Sequence, residues 1–337
     1  MKMSPYHLAA LAVVAINGLN AVSIRGPYSS SPDYAYGGVL DSQGKHWIIK
    51  VPRNTHASTA IEAEAGLAPI LVEQLRQGHL PFDVMRPAGF ATVDHGRAIV
   101  YPRPLGKSID FDHLSVAQAH ELGRTLATIH QLQPATITDA GMPGYDSETV
   151  RRRLLTELHD ADASGSIPAI LLRRWENTIE NPQLWNFRPA VVHGDIASDN
   201  ILWSEGQVSC VLGFGEAHVG DPAQDFASLM SGIDESLFDA IVESYRNSLR
   251  ETIDEHFFTR IVLLSEIALA RWMMFGIRNH DKTIIDEAET MMDELAQDVA
   301  ADPDLAPGPV WNVDTISDDL IPEDATDYEI RPGEQAD

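Results

Sequence analysis

Pro102 and Pro104 divide this 337-residue chain into two unlike parts. Proline neither donates to a sheet ladder nor continues a helix, so an element boundary falls at this pair. Upstream, short apolar runs alternate with turn residues. Residues 34–40 and 45–51 read as strands about the turn Asp41-Ser42-Gln43-Gly44, and residues 99–101 as another. Residues 21–26 form a further strand that leads into a polar bend, Tyr28-Ser29-Ser30-Ser31-Pro32. Thr59-x-x-Glu62 has the pattern of a capping box and opens a helix to about residue 77. Downstream, Ser115-x-x-Gln118 caps a helix with Leu122, Leu126 and Ile129 at core spacing, and helical periodicity dominates from there. Short strands interrupt it between residues 190 and 215.

The expected fold class is therefore α+β with two lobes. A small β-rich lobe covers residues 1–100, a link 101–104, and a larger, mostly helical lobe 105–302. A single core seldom grows past about 250–300 residues, which agrees with two lobes. Residues 303–337 read as a solvated acidic tail: from residue 301 onward there are 11 acids and one base, with Trp311 a candidate to pin part of the tail to the body.

The whole chain holds 50 Asp and Glu against 24 Lys and Arg, a net charge of −26. Nucleic acids and anionic membranes are recognised through basic patches, so this balance argues against both as partners and leaves a cationic small molecule, or simply a very soluble enzyme. A single cysteine, Cys210, excludes an internal disulfide and a cysteine-based metal cage. The first sixteen residues imitate an export signal but lack an Ala-x-Ala cleavage site. An amphipathic N-terminal helix on a cytoplasmic, monomeric protein is expected instead. No other stretch reaches the roughly 20 apolar residues of a membrane span.

Two charges sit where apolar residues belong. Lys50 interrupts the run Trp47-Ile48-Ile49-Lys50-Val51, and Glu64 lies on the stripe of Ile61, Ala65, Ala68, Leu71, Val72 and Leu75. Burying either alone costs several kcal/mol, so each is a candidate partner for the other. A snorkelling lysine and a helix-edge glutamate are the alternative.

The segment Val191-Val192-His193-Gly194-Asp195-Ile196-Ala197-Ser198-Asp199-Asn200 carries the chemistry. An apolar strand ends in His-Gly-Asp, and Asn200 follows Asp195 by five residues, the spacing of a protein-kinase catalytic loop. Phosphoryl transfer needs a carboxylate aimed at the attacking hydroxyl and a neutral oxygen to grip the metal. Gly213-Phe214-Gly215 stands where a kinase carries Asp-Phe-Gly, followed by Gly220-Asp221-Pro222 and Asp225-Phe226.

These residues resemble the aminoglycoside phosphotransferase superfamily of small-molecule kinases, and within it the macrolide 2′-phosphotransferases. The latter likeness rests on Gly215-Glu216-Ala217-x-Val219-x-Asp221-Pro222-x-x-Asp225-Phe226, on Asp33-Tyr34-x-Tyr36 and on Gly44-x-x-Trp47-x-x-Lys50-x-Pro52-Arg53. Ala63-Glu64-Ala65, Leu80-Pro81-Phe82 and Tyr101-Pro102 extend it. It is collinear over residues 19 to 230.

The resemblance implies a bilobal protein-kinase-like fold. It implies that Lys50 binds nucleotide phosphates and pairs with Glu64. The Tyr28–Ser31 loop, with Ser29 and Ser30, would lie over those phosphates. Ile99 to Arg103, with Tyr101, would be the hinge whose backbone reads the base, and Ile48 would join the nucleotide site. Asp195 would be the general base, Asn200 a Mg²⁺ ligand, and His193 and Asp225 braces of the loop. A buried core histidine and a helix N-cap are the structural alternatives for these braces. The donor would be GTP, or ATP in its place, and the acceptor a macrolide antibiotic. An aminoglycoside kinase and a nucleotide-binding pseudoenzyme are the alternatives.

Gly213 departs from the family, which has an aspartate metal ligand there. The loss is expected to weaken metal binding and catalysis by on the order of 3–4 kcal/mol, unless Glu216 or Asp221 replaces it. An inactivating substitution is the third reading. Gly213→Asp is expected to raise the rate. Gly106-Lys107-Ser108 imitates the end of a Walker A loop without its first glycine. The stripe Leu264, Ile267, Arg271, Met274 reads as helical core. Met230, Phe238, Trp272 and Phe275 are candidates to line an apolar acceptor pocket.

Overall fold

The computed structural model describes residues 3–230 and 232–301, without the side chains of 27–30. The acidic tail with Trp311 lies outside the described residues. Helix α1 (Pro5–Ala15) starts at Ser4, whose hydroxyl accepts from His7 N–H, with Pro5 at the first helical position. It buries Leu8 and Ala12 but leaves Tyr6, Val13 and Val14 exposed. The helix is thus apolar around its circumference, and the expected amphipathic pattern is absent.

Strands β1 (Ala21–Ser30), β2 (Tyr34–Asp41) and β3 (His46–Pro52) precede helix α2 (Thr55–Arg76). Strands β4 (Asp83–Val84), β5 (Gly89–Val93) and β6 (Gly96–Pro102) follow it. A five-stranded antiparallel sheet runs in the order β1-β2-β3-β6-β5. The polar bend expected over residues 28–32 is mostly strand: an irregularity between Arg25 and Ser29 lets β1 absorb Pro27 and pair on to Ser30. The chain reverses afterwards, where Ser31 Oγ accepts from the amides of Asp33 and Tyr34. In the β2–β3 turn the Asp41 carboxylate accepts from Gln43 N–H, Lys45 N–H and Trp47 Nε1, and Gly44 supplies φ +79°.

Helix α2 begins four residues before the predicted box. Asn54 caps it by accepting from Ala57 N–H, whereas Thr59 donates back to Thr55 O inside the helix. Glu62, the supposed box partner, is held by Arg97 of β6. Asparagine is the stronger cap, and the carboxylate found a better donor.

The remainder contains α3 (Val116–His130), α4 (Pro134–Thr138), α5 (Ser147–Asp162) and α6 (Ala169–Glu180). Then come β7 (Ala190–Val192), β8 (Ile201–Ser204), β9 (Gln207–Val211) and β10 (His218–Gly220). Helices α7 (Ala223–Met230), α8 (Glu235–Ser248), α9 (Phe257–Asn279) and α10 (Lys282–Ala301) complete it. The capping box predicted at Ser115 and Gln118 forms. One large core runs through these helices and also takes in Leu67 and Leu71 of α2 and Val84 of β4. A smaller core lies beneath α1, and a third, with Ile48, Ile61 and Tyr101, lies between the sheet and α2. Strand β4 pairs parallel with β9, so α2 and β4 tie the small sheet to the helical part. No helix among the described residues is long and apolar enough to cross a membrane.

Candidate active site

Lys50 on β3 lies opposite Tyr36 of β2 and Ile99 of β6, and its side chain crosses to α2. Its Nζ is 3.2 Å from Glu64 Oε2, with Lys50 9% and Glu64 4% exposed. The other glutamate oxygen, Oε1, accepts from Gly213 N–H at 2.8 Å, and the Tyr34 ring lies 4.3 Å below Nζ. A buried ion pair is tolerable only when its remaining polar atoms are satisfied, and the Gly213 amide does this. Glu64 thereby clamps β3, α2 and the segment after β9 together.

Between the sheet and the helical part lies a cavity of about 840 Å³, lined by Ile48, Lys50, Glu64, Tyr101, Arg103, Asn200 and Gly213. Ile99, predicted to touch a base, is not on its wall; it is fully buried in the core beneath α2. Arg103 N–H is spent on His46 O at 2.9 Å, so it is not free to read a base. The side chains of Ser29 and Ser30 lie outside the described residues. The wall includes Arg25, Tyr36, His46, Met85, Asp199 and Leu212, to none of which the sequence assigned a role at the site. Gly106, Lys107 and Ser108 also line it, although no Walker loop is formed. Arg25, Lys50, Arg103 and Lys107 face only Glu64 and Asp199, so the cavity is locally basic in a chain of net charge −26. Such a wall suits a polyphosphate.

Beside the cavity, β7 runs into His193, which is fully buried. Its Nε2 lies 2.8 Å from Leu212 O and its Nδ1 3.2 Å from Asp195 N, so both ring nitrogens are held by the backbone. Gly194 has φ +84°, and a Cβ there would come within 2.5 Å of Glu216 O. Only glycine fits. The amides of His193 and Gly194 each donate to Asp225 at 2.8 Å. His130 Nε2 bonds the same carboxylate at 3.0 Å, and Tyr245 Oη lies 2.8 Å from His130 Nδ1. Asp195 is exposed, and Asn200 Nδ2 donates to its Oδ2 and its backbone oxygen, both at 2.9 Å. Asp195 thus sits next to Asn200, which is on the cavity wall.

Burial pushes the Asp225 carboxyl up, but the His130 hydrogen bond and charge, then His193 and the Gly194 amide, outweigh it and hold it below the ordinary aspartate range. A depressed folded value gives stability that is complete above the unfolded value, about 4, and is lost as pH falls through the folded one. Asp225→Asn is therefore expected to lower stability at neutral pH and to flatten the loss below about pH 4. Urea melts of both proteins at pH 3 and pH 7 check this; an equal difference at both pH values would contradict it.

Asn200 Oδ1 receives no donor among the described residues and is an oxygen of the kind Mg²⁺ accepts. Gly213 offers no such group. Its φ is +84°, and a Cβ on it would stand 2.7 Å from Asn200 Cγ and Nδ2 and 2.8 Å from Oδ1. The rate gain expected for Gly213→Asp is therefore opposed: the new side chain displaces the amide that holds Asp195. Neither proposed replacement serves. Asp221 is 2% exposed and bound through both oxygens to Arg260, and Glu216 is exposed off the cavity wall, 3.9 Å from His56.

None of the four acceptor candidates is on the wall of this cavity. Phe238 is core, packed edge-on to Phe226, and Met230 is half-buried with its sulfur 3.7 Å from Ser265 Oγ. Trp272 and Phe275 stack on each other 5.4 Å apart, with Trp272 40% exposed. A second cavity of about 770 Å³ lies between α5 and α9 and includes none of them. Leu264 and Ile267 are buried as core, as the stripe reading expects, whereas Arg271 and Met274 line this cavity. Its wall has Arg152, Arg153, Arg271 and Arg278 against Glu157 and Asp160, so the chain's acidity is not concentrated there.

The phosphotransferase enzyme family matches residues 39–256 of the chain. An uncharacterised protein of Bacillus subtilis, YcbJ, is 23% identical over 193 residues, covering 55% of this chain and 63% of that protein. Among solved structures, the macrolide 2′-phosphotransferase MphH of Brachybacterium faecium is 18% identical with a TM-score of 0.70, covering 86% of this chain and 98% of its own. The GDP complex of aminoglycoside 2′-phosphotransferase-IIIa is 16% identical with a TM-score of 0.68, covering 88% and 99%. At these identities the structures share the fold.

Proposed function

Because this chain belongs to the phosphotransferase enzyme family, we propose that it transfers the γ-phosphoryl group of GTP, or of ATP in its place, to the 2′-hydroxyl of a macrolide amino sugar in the cytoplasm. The observation that carries the reading is the meeting of two pairs at one cavity. Lys50 and Glu64 stand on its wall with Gly213 joined to Glu64, and Asn200 on the same wall holds Asp195. Lys50, fixed by Glu64, binds the donor phosphates. Asp195 takes the proton of the attacking hydroxyl on its carboxylate, and Asn200 keeps that carboxylate aimed. Mg²⁺, when bound, neutralises charge on the phosphates, and Asn200 Oδ1 would hold it. The braced His193–Asp225 backbone keeps the loop from shifting as charge develops.

A second reading, a nucleotide-binding protein without turnover, draws on Gly213. Incubation with GTP or ATP, Mg²⁺ and a panel of macrolides and aminoglycosides, read by mass spectrometry, separates the possibilities. One added phosphoryl group on macrolides is expected. Addition to aminoglycosides alone would move the acceptor, and thermal stabilisation by nucleotide with no product would support the second reading.

A further inference from the structure

The cavity holds one carboxylate that the mechanism leaves unused. Asp199 lies on its wall, immediately before Asn200 in the short 3-10 turn that follows Asp195. Its carboxylate makes no hydrogen bond or ion pair among the described residues. The neighbouring acids are engaged. Glu64 holds Lys50 and the Gly213 amide, and Asp195 holds Asn200. Asp221 holds Arg260, and Asp225 holds His130 and two loop amides. Tyr36 also lines the cavity, and burial first, then the charges of Glu64, Asp195, Asp199 and Asp33, push its phenol up.

We infer that Asp199 gives a nucleotide-bound divalent cation the carboxylate that Gly213 cannot, with Asn200 Oδ1 as its neutral partner. A small hard cation on a triphosphate takes one or two protein oxygens and fills its shell with phosphate and water. Asp199 and Asn200 are such a set on consecutive residues of one wall. The arrangement also accounts for glycine at 213: the Asn200 amide lies where a Cβ there would press, and the anionic ligand comes from the residue before Asn200 instead. This inference rests on the nucleotide reading of the cavity.

The test titrates the full-length chain with a non-hydrolysable GTP analogue in EDTA and in Mg²⁺, with the electron paramagnetic resonance of Mn²⁺ as a second readout. Mg²⁺ is expected to tighten binding at least tenfold, an effect of at least about 1.4 kcal/mol. Asp199→Asn keeps the EDTA affinity, which shows that it is folded, and loses most of the gain and of the analogue-dependent Mn²⁺ immobilisation. Should Asp199→Asn lose EDTA binding as well, Asp199→Glu decides, a retained gain supporting the inference and a lost one overturning it. A native chain indifferent to Mg²⁺, or Asp199→Asn with the full gain, overturns the inference while the nucleotide reading stands. A native chain that binds the analogue in neither condition overturns both.

Discussion

Asp195→Asn is expected to lower phosphoryl transfer by about a thousandfold and to leave stabilisation by nucleotide unchanged. Asparagine has the shape of aspartate and still accepts from Asn200 Nδ2, so the loop keeps its closure. What disappears is the capacity to take the hydroxyl proton, a contribution of about 10²–10⁴ in general-base catalysis. Because that proton moves only in the transition state, kcat falls while KM for the acceptor stays within a few-fold. Steady-state kinetics on the acceptor found by mass spectrometry measures both. Activity within threefold of the native chain would remove Asp195 from the chemistry.

Arg260→Met is expected to cost about 3–5 kcal/mol of stability, the range for stripping one partner from a buried ion pair. Arg260, near the start of α9, is fully buried and bonds Asp221 through Nε and Nη2 at 2.7 and 3.2 Å. Its Nη1 reaches Leu184 O and Asp254 at 2.9 and 2.7 Å, and its guanidinium faces the Phe187 ring. Burial alone would push its pKa down, but Asp221 and Asp254 raise it, so the charge persists in the core. Methionine fills the volume and strands the Asp221 carboxylate. Asp221 opens the turn into α7, the helix that carries Asp225, so the loss reaches the His193–Gly194 backbone that Asp225 holds as well. A melting temperature lower by roughly 6–20 °C follows at about 2–4 °C per kcal/mol. Asp221→Asn combined with Arg260→Met should recover part of the loss, since the buried carboxylate is then neutral and the one left unpaired, Asp254, is 27% exposed. A drop below about 1 kcal/mol would contradict the assignment.

The loop from His193 to Asn200 is legible in the sequence because its parts are contiguous: Asp195 and Asn200 face each other across a few residues, so spacing alone reports geometry. Lys50 and Glu64 betray themselves differently, as charges on apolar faces that burial permits only in pairs. The same signal marks His130, a polar side chain beside Ile129 and Leu126 at the buried end of α3, yet its partner Asp225 is 95 residues away and no local pattern names it. Gly213 and Glu64, 149 residues apart, are joined only by the folded chain.

Other residues misled for physical reasons. An apolar helix face looks alike whether it packs into core or lines a pocket, so Phe238 reads as an acceptor contact and turns out to be core. Thr59 and Glu62 have the spacing of a cap, but Asn54 and Arg97 compete for the same roles and prevail. The net charge of −26 poses a difficulty for an anionic donor, and the fold answers it locally by turning Arg25, Arg103 and Lys107 toward the cavity that Lys50 enters.

Calorimetric titration of GTP and ATP into the native chain and into Lys50→Met tests the central claim most directly, that this cavity is a nucleotide site with its phosphates on Lys50. The native chain is expected to bind at least one of the two nucleotides, and Lys50→Met to weaken that binding tenfold or more, about 1.4 kcal/mol. Equal affinity in the two proteins, or no binding by the native chain, would contradict it.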